Sequence, residues 1–132
     1  MEKYILARSV DDVKDYLNGA DVVSFDFETA PNDEYRDEPM AAIDPNKSHI
    51  VGVSFSVKEG PGIYAPIAHK KTKLNLDMFE ILRGFAESKV IKIAHNLAFE
   101  AMFMHSNNIL IGIRFPANGS ALNVALMFVK QL

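Results

Sequence analysis

The chain has 132 residues, 48% of them hydrophobic, and contains no cysteine. This length suits a single domain with a real core, and the absence of cysteine excludes both a disulfide scaffold and a thiolate metal site. The formal net charge of −3 argues against broad electrostatic attraction to nucleic acid, except where bound cations invert the charge of an acidic site.

The first residues lack the features of a signal peptide, and no apolar run approaches the ~20 residues that span a bilayer. The lack of cysteine also fits a reducing compartment. We therefore expect a soluble, cytoplasmic protein without a membrane partner.

The predicted elements begin with a short strand over residues 4–7 and a helix that starts after Ser9. Ser9 followed three residues later by Asp12 is the pattern of a helix capping box, and Gly19 is a typical residue just past a helix end. These local signals predict both ends of the first helix.

A strongly hydrophobic strand follows at residues 22–29, and it carries two acids, Asp26 and Glu28. Because side chains alternate along a strand, both acids share one face with Ser24, and the apolar side chains point to the other face. Acids beside core positions need a compensating charge, and oxygen ligands suit a hard divalent cation such as Mg²⁺ or Mn²⁺. The alternative is a strand end emerging into solvent, which is the commoner origin of an isolated Asp-x-Glu.

The middle of the chain predicts a loop, a meander and a helix. Residues 30–48 hold three prolines and several acids, which indicate a long loop. Two predicted strands, at residues 49–57 and 63–67, are joined by a turn containing glycine and proline. Asn75 then caps a predicted helix through Ser88, in which apolar residues repeat at helical spacing.

A third acid lies farther along, at Glu100. The apolar run at residues 90–94 predicts a buried strand that leads into a helix with Asn96 near its start. On that helix Asn96, Phe99 and Glu100 lie at i, i+3 and i+4, so they share one face. The plain alternatives are a helix cap for Asn96 and a core aromatic for Phe99.

The last predicted elements are a strand at residues 109–115 and a helix from about Ala121. That helix has almost no polar face, which is typical of a buried helix or of one that has lost its covering partner. We therefore expect self-association as a homodimer through this C-terminal helix. The basic cluster at residues 69–73 is either a solvated loop or a contact to a nucleic-acid backbone.

Two of these segments together resemble the proofreading 3′-to-5′ exonuclease domain of family A, polymerase I-like DNA polymerases, within the DEDD exonuclease superfamily. Residues 26–29 correspond to the first exonuclease motif and residues 95–100 to the second, with the meander between them. Glu100 stands where the family usually has Asp. The third family motif, a Tyr or His followed four residues later by Asp, has no counterpart before Leu132.

The resemblance implies an α/β, ribonuclease H-like fold, a mixed sheet with an antiparallel meander followed by βαβ units. It implies that residues 1–132 are a single exonuclease-like domain, corresponding to the N-terminal part of the family domain and therefore C-terminally incomplete. A polymerase domain downstream of Leu132 is the partner that this family would supply.

The resemblance also implies the chemistry of the site. Asp26, Glu28 and Glu100 would be the catalytic residues and would hold two ions, Mg²⁺ or Mn²⁺. The implied activity is hydrolysis of the terminal phosphodiester at the 3′ end of single-stranded DNA. The alternative is a catalytically impaired exonuclease-like fold that serves as a nucleic-acid-binding or structural module.

The substrate contacts follow from the same resemblance. Asn96 and Phe99 would position the terminal nucleotide, and Thr29 would lie near the terminal sugar. Because the third motif is missing, we expect this chain by itself to be a poor nuclease.

Overall fold

The computed structural model describes residues 4–57, 60–69 and 74–112. The strands and α-helices up to residue 106 follow one another in the predicted order, and the predicted loop at residues 30–48 contains two short 3₁₀ helices. The elements are β1 (Ile5–Leu6), α1 (Val10–Leu17), β2 (Val22–Pro31), two 3₁₀ helices (Asp33–Tyr35 and Ala41–Ile43), β3 (Ser48–Ser56), β4 (Ile63–Pro66), α2 (Leu76–Glu87), β5 (Ile91–Ile93) and α3 (Leu97–Ser106).

The five strands form one mixed sheet in the order β1-β4-β3-β2-β5. Strands β2, β3 and β4 are antiparallel neighbours and make the predicted meander. The outer strands join it in parallel, β5 beside β2 and β1 beside β4. The α/β class with a mixed sheet is therefore confirmed.

Local side-chain contacts start the helices where the sequence predicts. The Ser9 hydroxyl accepts the backbone N–H of Asp12 at 3.2 Å, and the Asp12 carboxylate accepts the N–H of Ser9 at 3.2 Å. Gly19, with φ of 76°, follows α1 in a conformation that glycine adopts at little cost. Asn75 caps α2 by accepting the N–H of Met78 at 3.0 Å.

The core lies on one face of the sheet, where alternate residues of the strands are buried together with residues from all three helices. Phe85 of α2 stands at its centre, with its ring centroid 5.3 Å from that of Phe25 and 4.8 Å from that of Phe55. The buried core side chains of the three central strands are Val23, Phe25, Phe27, Ile50, Val53, Phe55, Ile63 and Ala65. The opposite face of β2 carries Ser24, Asp26 and Glu28, as the alternation predicts.

Lys92 ties the end of α2 to the residues that follow α3. Its ammonium donates to the carbonyl oxygens of Ser88 at 2.6 Å, Val90 at 3.1 Å and Gly112 at 3.0 Å. It also lies 5.5 Å from the centroid of the Phe85 ring. Burial lowers the pKa of Lys92 to about 8, and the three carbonyl oxygens replace the lost water around the charge.

Lys92→Met is expected to lower the free energy of unfolding by about 1–3 kcal/mol, because three partly buried carbonyl oxygens lose their donor. Urea denaturation at pH 7 measures this loss. Lys89→Met removes the same charge from an exposed position on the same segment and is the matched control. Equal losses in the two variants would show that the carbonyl contacts add nothing.

The predicted strand at residues 109–115 is wrong over its described part, residues 109–112. The backbone N–H of Ile109 donates to the carbonyl of Met104 at 2.9 Å, and that of Gly112 donates to the carbonyl of Ala86 at 2.7 Å. These groups bond to α3 and α2, so they do not pair with a strand. Residues 113–115, the predicted last helix and its homodimer contact lie outside the described residues.

Candidate active site

The start of α3 lies beside the middle of β2 because β5 is short. Strand β5 pairs with β2 only over residues 22–24, and the chain leaves the sheet after Ile93. Helix α3 begins four residues later, at Leu97, with Glu100 in its first turn. The edge of β2 beyond the end of β5 is thus available to Glu100.

Glu100 is 1% exposed, and its carboxyl group contacts the carboxyl group of Asp26. The backbone N–H groups of Phe27 and of Glu100 itself lie close enough to this carboxyl to favour its charged form. Its Oε2 atom is buried and has no hydrogen-bond partner within residues 4–57, 60–69 and 74–112. One buried oxygen is therefore left without a donor, at a place where two acids meet.

The environment of Glu100 favours the neutral acid. Burial, followed by the contact with Asp26, raises the pKa of the Glu100 carboxyl from 4.5 to about 7, while the two backbone donors act in the opposite direction. Two acidic groups in contact share one proton or take up a cation, since two bare carboxylates repel each other. The pair therefore has the charge pattern of a cation site.

Asp26 faces an open groove of about 340 Å³ on the polar face of the sheet. Within the groove, the hydroxyl of Ser24 on β2 donates to the carbonyl of Ser56 on β3 at 3.3 Å. The walls of the groove contain polar side chains as well as exposed aromatic and aliphatic ones. The lining includes Ser24, Asp26, Ser54, Tyr4, Ile93 and His95.

Glu28 is exposed on the same face, two residues beyond Asp26. It pairs in register with Gly52 of β3, whereas Asp26 pairs with Ser54. Across the described ranges, no group of three His, Cys, Asp or Glu side chains is close enough to hold a metal ion. The structure brings Asp26 and Glu100 together but does not bring Glu28 into a group of three with them, so the three-ligand assignment stays a prediction.

Tyr64 of β4 is a functional candidate that the sequence analysis missed. Its ring lies over Gly52, and its hydroxyl oxygen is 2.7 Å from Nε2 of His69. Burial, and to a smaller extent the negative charge of Glu28, raise the pKa of Tyr64. The signal that could have found it is Gly52, because a glycine inside a strand often marks a close approach by another group.

The predicted substrate-binding residues have structural partners. The Thr29 hydroxyl donates to the carbonyl of Ala42 at 2.6 Å and so fastens the second 3₁₀ helix to β2. Asn96 caps α3 by accepting the N–H of Phe99 at 3.4 Å. The Phe99 ring packs 4.9 Å from the ring of Phe103 and is half-buried. The structure thus shows the helix cap for Asn96 and the packing of Phe99 that were the plain alternatives. Contact of these residues with a nucleotide stays a prediction.

No protein-family model matches the chain. It is 28% identical over 104 residues to DNA polymerase I of Pseudomonas aeruginosa, an alignment that covers 74% of the chain and 10% of that protein. It is 35% identical over 95 residues to the DNA-directed DNA polymerase of Pseudomonas phage M6, covering 69% of the chain and 14% of that protein. The chain is thus similar to a small part of two DNA polymerases, spanning 10% and 14% of their lengths.

Solved structures of similar fold were also found. Brucella melitensis NrnC matches 87% of the chain and 48% of its own length, with a TM-score of 0.53 and 19% identity. The same protein bound to pGG matches 86% of the chain and 49% of its own length, with a TM-score of 0.52 and 18% identity. The chain therefore has the ribonuclease H-like fold, and it spans about half the length of these NrnC chains.

Within residues 4–57, 60–69 and 74–112, no helix is both long enough and apolar enough to cross a membrane.

Proposed function

We propose that the chain is a two-metal-ion 3′-to-5′ exonuclease that acts on single-stranded DNA as the proofreading part of a DNA polymerase. The observation that carries this proposal is the contact between the Asp26 and Glu100 carboxyl groups on a DEDD exonuclease fold. The polymerase relatives support a role beside a polymerase, since both alignments fall within much longer DNA polymerases.

The site suits Mg²⁺ or Mn²⁺. Its donors are hard carboxylate oxygens, and Oε2 of Glu100 is buried without a donor in the described part of the chain. Asp26 and Glu100 would hold such an ion, and Glu28, on the same face of β2, is the third proposed ligand. When bound, two ions stabilise negative charge on the phosphate and the leaving oxygen and lower the pKa of bound water.

The residues around the pair would bind and orient the DNA 3′ end. The groove beside Asp26 offers the hydroxyls of Ser24 and Ser54, which are suited to phosphate and sugar oxygens, and exposed Tyr4 as a surface for a base. NrnC bound to pGG gives a precedent on this fold for a nucleic-acid ligand. Asn96, Phe99 and Thr29 keep their proposed contacts to the terminal nucleotide.

A second candidate function is a nucleic-acid-binding or structural module without efficient catalysis. It is favoured by the position of Glu28, which stands beside Tyr64 and belongs to no group of three acids within the described residues. Binding of single-stranded DNA without hydrolysis would support this function over the first.

Asp26→Asn is expected to reduce Mn²⁺-dependent hydrolysis at least a hundredfold, because loss of a charged ligand displaces both the ion and the attacked phosphate. The assay follows release of the 3′-terminal nucleotide from a labelled single-stranded oligonucleotide. It is run on the 132-residue chain.

Asp33→Asn is the matched control, because its side chain is 91% exposed on the first 3₁₀ helix and the charge change is the same. Equal hydrolysis by the parent and by Asp26→Asn would rule out the proposed site. Tight Mn²⁺-dependent DNA binding by the parent with no hydrolysis would favour the binding module.

A further inference from the structure

The side chain of Tyr64 extends across the polar face of the sheet, from β4 over β3. A Cβ atom placed on Gly52 would lie 2.1 Å from the Tyr64 hydroxyl oxygen and 2.4 Å from its Cζ atom. The phenol therefore fills the space that any side chain at this position would occupy. Because Gly52 pairs with Glu28, and paired residues of antiparallel strands lie about 5 Å apart at Cα, the hydroxyl stands at the Glu28 end of the site.

His69 holds the phenol from the other side. Its Nε2 atom is 2.7 Å from the Tyr64 oxygen, and the two rings meet edge to face with centroids 5.7 Å apart. The backbone leading to His69 is fixed to β3, since the N–H groups of Ile67 and Ala68 both donate to the carbonyl of Val51, at 2.8 and 3.0 Å.

The direction of the hydrogen bond decides what the phenol can do. A phenol has one donor hydrogen, and Nε2 of a neutral histidine either donates or accepts, depending on the tautomer. If the phenol donated to His69, its lone pairs would face the Glu28 carboxylate, which only accepts when ionised. If His69 donates to the phenol oxygen, the phenol hydrogen is free for the Glu28 side. The charge of Glu28 favours the second arrangement.

We propose that Tyr64 is a positioning residue for Glu28, with its hydroxyl oriented by a hydrogen bond from His69 and donating to the Glu28 carboxylate directly or through one water molecule. This inference deepens the proposed exonuclease function, and its catalytic consequence rests on that function. The direction of the His69–Tyr64 hydrogen bond can be tested whether or not the chain is a nuclease. Glu28 would thus be oriented from β4, opposite the side on which Glu100 meets Asp26.

The first test is the tautomer of His69, measured by long-range ¹H–¹⁵N NMR at a pH where the ring is neutral. We expect the hydrogen on Nε2. A hydrogen on Nδ1, with Nε2 accepting from the phenol, would overturn the proposal whether or not the chain is a nuclease. In Tyr64→Phe, loss of the partner should change the Nε2 chemical shift.

The second test is the rate of 3′-nucleotide release. Tyr64→Phe keeps the ring over Gly52 and is expected to lower kcat about tenfold, the effect of one hydrogen bond, with KM changed less than about twofold. His69→Leu should cause a similar loss, and His69→Gln, whose amide N–H takes the place of Nε2–H, should restore most of it. If His69 only supported the fold, His69→Gln would not restore kcat.

Tyr35→Phe is the control, because it removes a phenolic hydroxyl from the first 3₁₀ helix. Parental kcat in both Tyr64→Phe and His69→Leu, together with loss of activity in Asp26→Asn, would overturn the role of Tyr64 and leave the exonuclease function standing. Undiminished activity in Asp26→Asn would instead reject the exonuclease site, and the tautomer of His69 would then decide the geometric proposal by itself.

Discussion

Glu100→Gln is expected to raise the free energy of unfolding at pH 8, in the absence of divalent cations, by on the order of 2 to 3 kcal/mol. The folded protein holds the Glu100 proton with a pKa of about 7, against 4.5 for the ordinary carboxyl. The contribution of this group to stability is therefore complete below pH 4.5 and is lost as the pH rises through 7. Glutamine has nearly the same shape and no proton to lose, so the loss disappears.

Urea denaturation of the parent and of Glu100→Gln between pH 5 and 8, with a chelator present, measures this effect. Mg²⁺ or Mn²⁺ should stabilise the parent at pH 8 and should do so less in the variant, because the cation takes the place of the lost proton. Glu80→Gln, with a side chain 64% exposed on α2, is the control for a surface charge. Parallel pH profiles for the parent and Glu100→Gln would show that Glu100 ionises normally.

Phe85→Ala is expected to lower the free energy of unfolding by about 3–5 kcal/mol, the largest stability effect of any substitution considered. The ring is 7% exposed, touches Phe25 and Phe55 edge to face, and lies below the Lys92 ammonium. Truncation leaves a cavity behind β2, directly beneath the residue that precedes Asp26. Equilibrium urea denaturation at pH 6 measures the change.

Phe79→Ala is the matched control on the same helix. Phe79 is only half-buried, and its ring faces the guanidinium of Arg83 at 5.5 Å, so we expect a clearly smaller loss of stability. Phe85→Leu should fall between the parent and Phe85→Ala, because it keeps part of the buried volume. A loss in Phe85→Ala no larger than that in Phe79→Ala would mean that the core closes around the missing ring.

Helix starts and strand faces could be predicted because their causes are local. The Ser9 and Asp12 capping box joins residues three apart, and Asn75 reaches only to the start of its own helix. The alternation along β2 places Asp26 on the polar face and Phe25 on the buried face, which the burial confirms. The strand predicted at residues 109–112 fails for the opposite reason, since its backbone groups bond to helix ends that are distant in sequence.

The contact between Asp26 and Glu100 was expected only through family resemblance. Helical spacing puts Glu100 on one face of α3, but it does not indicate that this carboxyl is 1% exposed or that one of its oxygens lacks a donor in the described part of the chain. Those properties arise because β5 ends early and lets α3 approach β2. The position of the Tyr64 ring over Gly52 was not predicted either, because it depends on the register between β3 and β4.

The sequence by itself determined the strands and α-helices of this protein up to residue 106 and the two faces of β2. Helix capping, helical periodicity and strand alternation depend on residues within a few positions of one another, so they can be predicted from the sequence. Only the tertiary structure decided that Glu100 meets Asp26 while Glu28 stands beside Tyr64. These contacts depend on strand register and on where β5 ends, which are settled by packing between residues distant in sequence.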